Sequence, residues 1–343
     1  MSTRKRSLHC VGDLDPAVRL GHPVVDRYLE FVEARARRNT LLATASDLRV
    51  FFTEVDKEPS DVSVTDVLAF ITAQRSPLFD GKVIRLSDGE TGLSARTIQR
   101  RLSIVSGFFA YLVMVGDIAS NPVPRGLATR RARSGRRSVV PLIRTPRTLP
   151  KILEPAEVDA LVGALRRWRD RAMVEAMVLG GLRRCEVLGL RMQDLHPAEG
   201  RVFVADGKGG HQRLIPISGR FFRSLGEYLE RERPSDAPTD GVFVVLKGPR
   251  RGQALSADGL DEIVRYTRQR VGLSHATCHE LRHTCLTRLR EAGMALEALQ
   301  AQAGHRSIET TRIYLHLSNE WLADEYARAS SLIDTQMLEA VAR

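Results

Sequence analysis

Cysteine, tryptophan, acidic charge and long apolar runs are all scarce in this sequence. Its four cysteines, Cys10, Cys185, Cys278 and Cys285, form no C-x-x-C pair and follow no regular spacing in a chain of 343 residues. No disulfide framework is spelled out, and a reducing cytoplasm is the expected compartment. The apolar stretch at residues 108–115 falls far short of the ~20 residues that cross a bilayer, so no membrane span is expected. The basic start, Arg4, Lys5 and Arg6, runs into His9, Gly12, Asp13 and Asp15 instead of an apolar segment, unlike a secretory signal. Acidic residues are outnumbered, 41 Asp and Glu against 52 Lys and Arg, and the surplus of 11 points to a polyanionic partner, most simply nucleic acid. With 43% hydrophobic residues the chain is neither disordered nor fibrous, and its length suggests about two folded units.

The first unit reads as a small helical bundle. Val25, Tyr28, Leu29 and Val32 recur at i, i+3, i+4 and i+7, the stripe of an amphipathic helix. A second stripe runs through Leu42, Leu48 and Phe51, and a third helix is expected to start at Ser63 or Thr65 ahead of Val67, Leu68 and Ile71. Pro77, Gly81, Asp88, Gly89 and Gly92 make residues 76–93 a loop. Helix resumes near Ser94, buries Leu102, Val105, Phe109 and Leu112, and stops at Gly116.

Between residues 122 and 150 acidic residues are absent altogether. Arg125, Arg130, Arg131, Arg133, Arg136, Arg137, Arg144 and Arg147 crowd a stretch broken by Pro124, Pro141 and Pro146. Such a segment has little apolar surface to offset its ordering entropy, so it reads as a linker. It is either a solubilising tether or a basic strap lying along a phosphate backbone.

Beyond it, Val158, Leu161, Val162 and Leu165 mark a helix, and a second apolar helix covers residues 172–179. The period then changes. Residues 202–204 and 214–217 are short β-type runs joined through Asp206, Gly207, Gly209 and Gly210, which reads as a hairpin, and residues 242–246 supply a candidate third strand. From Leu255 onward the pattern is helical, with Gly293 and Gly304 as helix stops.

The chemistry concentrates in residues 278–316. His279 and Arg282, three apart, share one helical face and together offer an imidazole and a forked guanidinium to an anion. Alone, an H-x-x-R is common and is better read as a surface histidine beside a solvated arginine. His279-Glu280-Leu281-Arg282-His283 also fits the H-E-x-x-H zinc spacing, but no downstream residue stands out as a third ligand.

Five elements in order carry more weight than any one of them. Gly180-Gly181-Leu182-Arg183-Arg184-Cys185-Glu186-Val187-Leu188, the hairpin Gly207-Lys208-Gly209-Gly210, the His279 to His283 run, Gly304-His305 and Tyr314 together resemble the tyrosine recombinase (phage integrase) family. The resemblance covers about residues 150–320, and residues 20–120 are similar to the family's core-binding domain. It implies a mainly α fold with a small β-sheet: an N-terminal tail (1–19), a helical core-binding DNA clamp (20–120), a basic linker (121–150), a mixed α/β catalytic domain (151–320) and a C-terminal helical segment (321–343). That last segment, with Trp321, Leu322, Tyr326, Leu332, Ile333, Met337 and Leu338, packs either on the chain's own core or, as in similar recombinases, on a neighbouring protomer.

The resemblance also implies roles. Arg183 and Arg282 become the two catalytic arginines, Lys208 the hairpin lysine, His279 the histidine of the H-x-x-R pair, His305 the residue before the nucleophile, and Tyr314 the nucleophile, with Tyr326 its nearest rival. Glu186 would be structural, orienting an arginine, and His283 would buttress the site. Paired cations suit a phosphodiester, whose charge grows as phosphorus becomes pentacoordinate, so neither a metal nor another cofactor is implied. The partner implied is double-stranded DNA carrying a specific recombination site, enclosed by the two domains with strongly salt-dependent affinity and bound as a homo-oligomer, a tetramer in the family. Arg96, Arg100 and Arg101 would face the major groove, with Arg130, Arg131, Arg136 and Arg137 along the backbone; a solvated basic face is the plain alternative. With no separate arm-binding domain of obvious size before residue 20, a simpler recombinase or mobile-element enzyme is expected. Topoisomerase IB-like relaxation and a non-catalytic DNA-binding regulator remain the alternatives.

Overall fold

A computed structural model describes residues 18–76, 78–79, 82–83, 92–128, 139–140, 142–144, 151–207, 212–305 and 307–311. The chain forms two compact units, Met1–Arg147 and Thr148–Arg343.

The first unit is built on helices α1 (Pro23–Arg35), α2 (Arg38–Val55), α3 (Val64–Arg75) and α4 (Ala95–Val115). Proline at the first turn of α1 sacrifices only an amide that has no helical partner, and the expected stripe of Val25, Tyr28, Leu29 and Val32 is buried. Of the two candidate caps for α3, Ser63 is the one used. Its backbone N–H donates to Asp66 Oδ2 at 2.9 Å while Asp66 N–H returns to Ser63 Oγ at 3.4 Å, a reciprocal capping box. Helix α4 begins at the Ser94 cap and stops at Gly116, whose φ of 83° suits glycine. Among the described residues it is the one helix long and apolar enough to cross a membrane, yet Ile98, Leu102, Val105, Phe108, Phe109 and Leu112 are buried in the unit's own core. Phe51, Phe70, Phe108 and Phe109 form the centre of that core, with Phe51 edge-on to Phe70 at 4.9 Å.

Two expectations about faces are corrected. Leu42 is 43% exposed and Leu68 is also exposed; α2 instead buries Leu41, Ala45, Leu48, Phe51 and Phe52. The segment read as a plain linker is partly built into this unit. Val123 and Ile143 are buried in its core, Asn121 Nδ2 donates to Ser106 O at 2.9 Å, and β3 (Leu127–Ala128) pairs antiparallel with β4 (Val139–Val140), as β1 (Leu78–Phe79) does with β2 (Lys82–Val83). Arg130, Arg131, Arg136 and Arg137 lie outside the described residues.

The second unit wraps its core around α6 (Trp168–Val178), in which every residue from Ala172 to Val178 is buried. Around it lie α5 (Pro155–Ala164), α7 (Arg184–Leu188), α8 (Gly219–Arg231), α9 (Ala257–Arg270) and α10 (Cys278–Glu291), followed by α11 (Leu296–Ala303) and the short α12 (Ile308–Thr311). The expected hairpin is present as β6 (Arg201–Val204) and β7 (Arg213–Pro216), with Val204 opposite Arg213 and Val202 opposite Ile215. The third strand is not residues 242–246 but β5 (Leu195–His196), giving the antiparallel order β5-β6-β7. Residues 242–244 are buried, and their backbone is satisfied outside the sheet: Val242 N–H donates to Leu190 O at 2.8 Å, Phe243 O accepts from Leu255 N–H at 3.2 Å, and side chains meet others. Tyr228 Oη donates to Val242 O at 3.0 Å and accepts from Val244 N–H at 3.2 Å, and Arg169 Nη1 donates to Val244 O. The three described cysteines, Cys185, Cys278 and Cys285, are free.

Candidate active site

The site is assembled where α6 ends, α7 begins and α11 stops. After α6 the chain turns through Gly181, whose φ of 68° requires glycine, and delivers Arg183 to the N-terminus of α7. Glu186, one turn on, carries a carboxylate with no exposed side-chain surface. It accepts the Arg183 backbone N–H at 2.9 Å, Arg183 Nη1 at 2.6 Å, and both terminal nitrogens of Arg213 at 3.0 and 2.9 Å. Arg282 Nη1 stands 3.8 Å away. Burial opposes its ionisation, but hydrogen bonds and charge from Arg213, then Arg183, prevail and hold the carboxyl at about 2. Three guanidiniums thus share one carboxylate, and a net positive field remains for an anion.

Arginines also gather on the carbonyl end of α11, the negative pole of that helix. Arg282, 3% exposed, donates to Ala303 O at 2.6 Å and to Gly181 O; Arg183 Nη2 donates to Gly304 O at 3.2 Å; Arg213 Nε donates to Gln302 O at 3.2 Å. Gly304 caps the helix at φ 60°, and a Cβ there would lie 2.9 Å from the Arg213 guanidinium. The turn presents His305, whose Nε2 is 3.3 Å from Arg282 Nη2. A guanidinium only donates, so Nε2 accepts and the ring proton sits on Nδ1, which donates to Thr311 Oγ1 at 3.0 Å. Burial, with Arg282 and Arg183 nearby, lowers the His305 pKa to about 4.

On α10, capped by Thr277, Arg282 is buried while His279, one turn earlier, is exposed. The Nε2 atoms of His279 and His283 are 2.8 Å apart, one ring donating to the other. Burial and the charges of His279 and Arg282 lower the His283 pKa to about 4, so His283 is a neutral buttress beside His279. The H-E-x-x-H spacing therefore forms an imidazole pair, and among the described residues no set of three metal-ligating side chains converges.

Arg183, Arg282 and His305 are thus brought together, with the His279–His283 pair one turn along α10 from Arg282. Lys208 and Tyr314 lie outside the described residues. Arg213 and Gln302 were not singled out in the sequence. Gln302 ties the helix end to Gly180 O at 2.9 Å and Pro216 O at 3.1 Å. Both residues act across long sequence separations, and no local pattern marks them. In the first unit, Arg100 clamps the buried Asp47 through both terminal nitrogens, and Arg101 donates to Gln74 Oε1 at 2.9 Å with Asp47 3.5 Å away. Burial raises the Asp47 pKa against the pull of the two arginines. Arg100, whose side chain is 49% exposed, and the more buried Arg101 are thus ion-paired with Asp47, and Arg96 is exposed.

The phage integrase family profile matches residues 151–320. The chain is 31% identical over 302 residues to tyrosine recombinase XerC of Roseiflexus sp. (strain RS-1), covering 84% of this chain and 86% of that one. It is 32% identical over 315 residues to XerC of Xanthomonas axonopodis pv. citri (strain 306), covering 89% and 95%. Its fold is similar to that of the Tn1549 transposon integrase in complex with transposon right end DNA, with a TM-score of 0.67 and 18% identity over 90% of this chain and 99% of that one. It is likewise similar to a lambda integrase dimer bound to a COC' core site, with a TM-score of 0.63 and 19% identity over 87% and 96%.

Proposed function

The chain belongs to the tyrosine recombinase (phage integrase) family and is by family a site-specific DNA recombinase; from that premise we propose that it cuts and rejoins DNA through a covalent 3′-phosphotyrosine on Tyr314. The observation that carries this reading is the set of arginines held by Glu186 and the end of α11, with a neutral His305 beside Arg282. Guanidiniums fixed by a buried carboxylate and helix carbonyls are preorganised, so they need no rearrangement as charge develops on phosphorus.

In the proposed reaction the Tyr314 oxygen attacks phosphorus while Arg183 and Arg282 bind the nonbridging oxygens. The Tyr314 proton passes to His279 or to the phosphate, because a phenol with an ordinary pKa of ~10 must lose it during attack. The bond from phosphorus to the 5′ oxygen breaks, and Lys208 protonates that leaving oxygen. Bond energy stays in the phosphotyrosine, so the 5′ hydroxyl of a second strand reverses the step without ATP. The helical first unit would serve as the core-binding domain, with Arg96 and the linker arginines on phosphates. The assembly would be a tetramer on a specific site, serving a mobile element, a phage or dimer resolution, with the C-terminal segment available to a neighbouring protomer.

The test is a nicked suicide duplex built on the sequence that the protein protects in DNA flanking its own gene, incubated with EDTA and run on a denaturing gel. A covalent band from the wild type and none from Tyr314→Phe supports the reading. No band from a wild type that binds the DNA favours a regulator, and covalent chemistry with relaxation but no strand exchange favours a topoisomerase.

A further inference from the structure

Resting on that reading, we propose that Arg213 is a positioning residue for strand cleavage, occupying one face of Glu186 and the end of α11 so that Arg183 and His305 stay directed at the phosphate. Arg213 is outside the six positions carried by the family resemblance, yet it makes more of the site's internal contacts than its sequence neighbourhood suggests. It sits on β7, held in register opposite Val204, and is almost buried. Its two terminal nitrogens engage both Glu186 oxygens, while Nε reaches Gln302 O. The Gly304 turn that delivers His305 passes so close to the guanidinium that a methyl group there would collide with it.

The argument is one of competition for a carboxylate. Glu186 has two oxygens, and a forked guanidinium prefers to engage both. With Arg213 in place, the Arg183 side chain reaches only Oε1, and its other terminal nitrogen is available to Gly304 O. With Arg213 removed, Oε2 keeps only the Arg183 backbone N–H, and the side chain of Arg183 or Arg282, whose Nη1 is already 3.8 Å from it, is drawn toward the buried charge and away from a bound phosphate. The same removal frees the α11 carbonyl end and the His305 turn. A lysine could not replace the fork, since a single ammonium cannot meet two carboxylate oxygens and a carbonyl in the same plane. Arg213 also follows Lys208 by five residues, so the strand it anchors begins just beyond the hairpin lysine.

The experiment uses the full chain and the nicked suicide duplex, comparing wild type, Arg213→Lys, Arg213→Met and the double variant Arg213→Met with Glu186→Gln. DNA affinity is read by gel shift, folding by thermal melting, and cleavage as the rate of covalent complex formation at saturating DNA. Arg213→Lys and Arg213→Met are expected to bind DNA like the wild type and to cleave about 10- to 100-fold more slowly, the range seen when groups supporting a catalytic centre are removed. The double variant is expected to cleave faster than Arg213→Met, because a neutral amide in place of the Glu186 carboxylate no longer draws Arg183 inward. A double variant no faster than the single one overturns the proposal, as does a wild-type rate in Arg213→Lys. So does parallel loss of folding and DNA binding in Arg213→Met, which would make the residue merely structural. If the wild type itself gives no covalent product on DNA it binds, the recombinase chemistry fails, and the role of Arg213 in it falls too.

Discussion

Replacing Glu186 by glutamine removes one charge from the centre of the second unit and leaves its shape intact, so the cost can be worked out in two ways. Geometrically, the buried carboxylate accepts four hydrogen bonds from Arg183 and Arg213. The amide introduced by Glu186→Gln would turn an N–H toward guanidinium N–H groups, and breaking a buried ion pair on one side costs about 3–5 kcal/mol. From titration, a carboxyl held at about 2 instead of its ordinary 4.5 contributes roughly 3 kcal/mol at neutral pH. The two routes agree. The sign follows from a folded pKa below the unfolded one: this stability is present above pH 4.5 and is lost as pH falls toward 2. Between pH 6 and pH 3.5 the gap between wild type and Glu186→Gln should therefore narrow by roughly 1.4 kcal/mol. Urea unfolding followed by tryptophan fluorescence measures this in the unit concerned, because Trp168 packs against its core. Groups common to the two proteins cancel in the difference. A gap under about 1 kcal/mol at pH 6, or one that does not narrow on acidification, would refute the account of the carboxylate as the anchor of these arginines.

Other perturbations give equally direct readings. Gly304→Ala forces a side chain into a left-handed turn against Arg213 and should cost about 1–2 kcal/mol and slow cleavage, whereas Gly219→Ala, at the start of α8 with open space around it, should be neutral in the same urea melts. His283 and His305 are neutral when folded and take up protons when unfolded, so the second unit should lose stability as pH falls from 6.5 toward 4. Replacing His283 by asparagine should flatten that slope by about 1–2 kcal/mol at pH 5, read from urea midpoints. Replacing Arg100 and Arg101 together with methionine strands the Asp47 carboxylate and should destabilise the first unit by about 3–5 kcal/mol, while either replacement alone should cost much less. Hydrogen exchange of the α4 amides checks this, and equal costs for single and double variants would argue against a shared carboxylate.

Local signals were legible in the sequence and distant ones were not. The α1 stripe, the Ser63 cap, the Gly116 and Gly304 stops and the β6–β7 hairpin each depend on residues a few positions apart, where periodicity and turn chemistry act. The H-x-x-R of His279 and Arg282 and the Arg183 to Glu186 spacing are also one-turn relationships, and the structure brings them into one place. Arg213 and Gln302 reach partners between 27 and 122 residues away, and Asp47 meets Arg100 across 53. Such pairings exist only after the helices have packed, so composition and period are silent about them. The two-residue strand β5 is too short to show an alternation, and the apolar residues 242–244 read as a strand although they are buried and make only an isolated bridge, Val244 to Ala254, outside the sheet. Residues 122–150 read as a linker by charge, either a tether or a basic strap, and Val123 and Ile143 fasten parts of that segment to the helical core.

The central claim is that one tyrosine becomes covalently joined to DNA within this arginine cluster, and the most direct test is to identify that tyrosine. Covalent complexes trapped on the suicide duplex would be digested with nuclease and trypsin, and the peptide carrying the nucleotide adduct sequenced by mass spectrometry. The account predicts a single adduct, a 3′-phosphonucleotide on Tyr314, that vanishes in Tyr314→Phe and is strongly reduced in Arg183→Ala. An adduct on Tyr326 or any other residue, or a 5′ linkage, would contradict it.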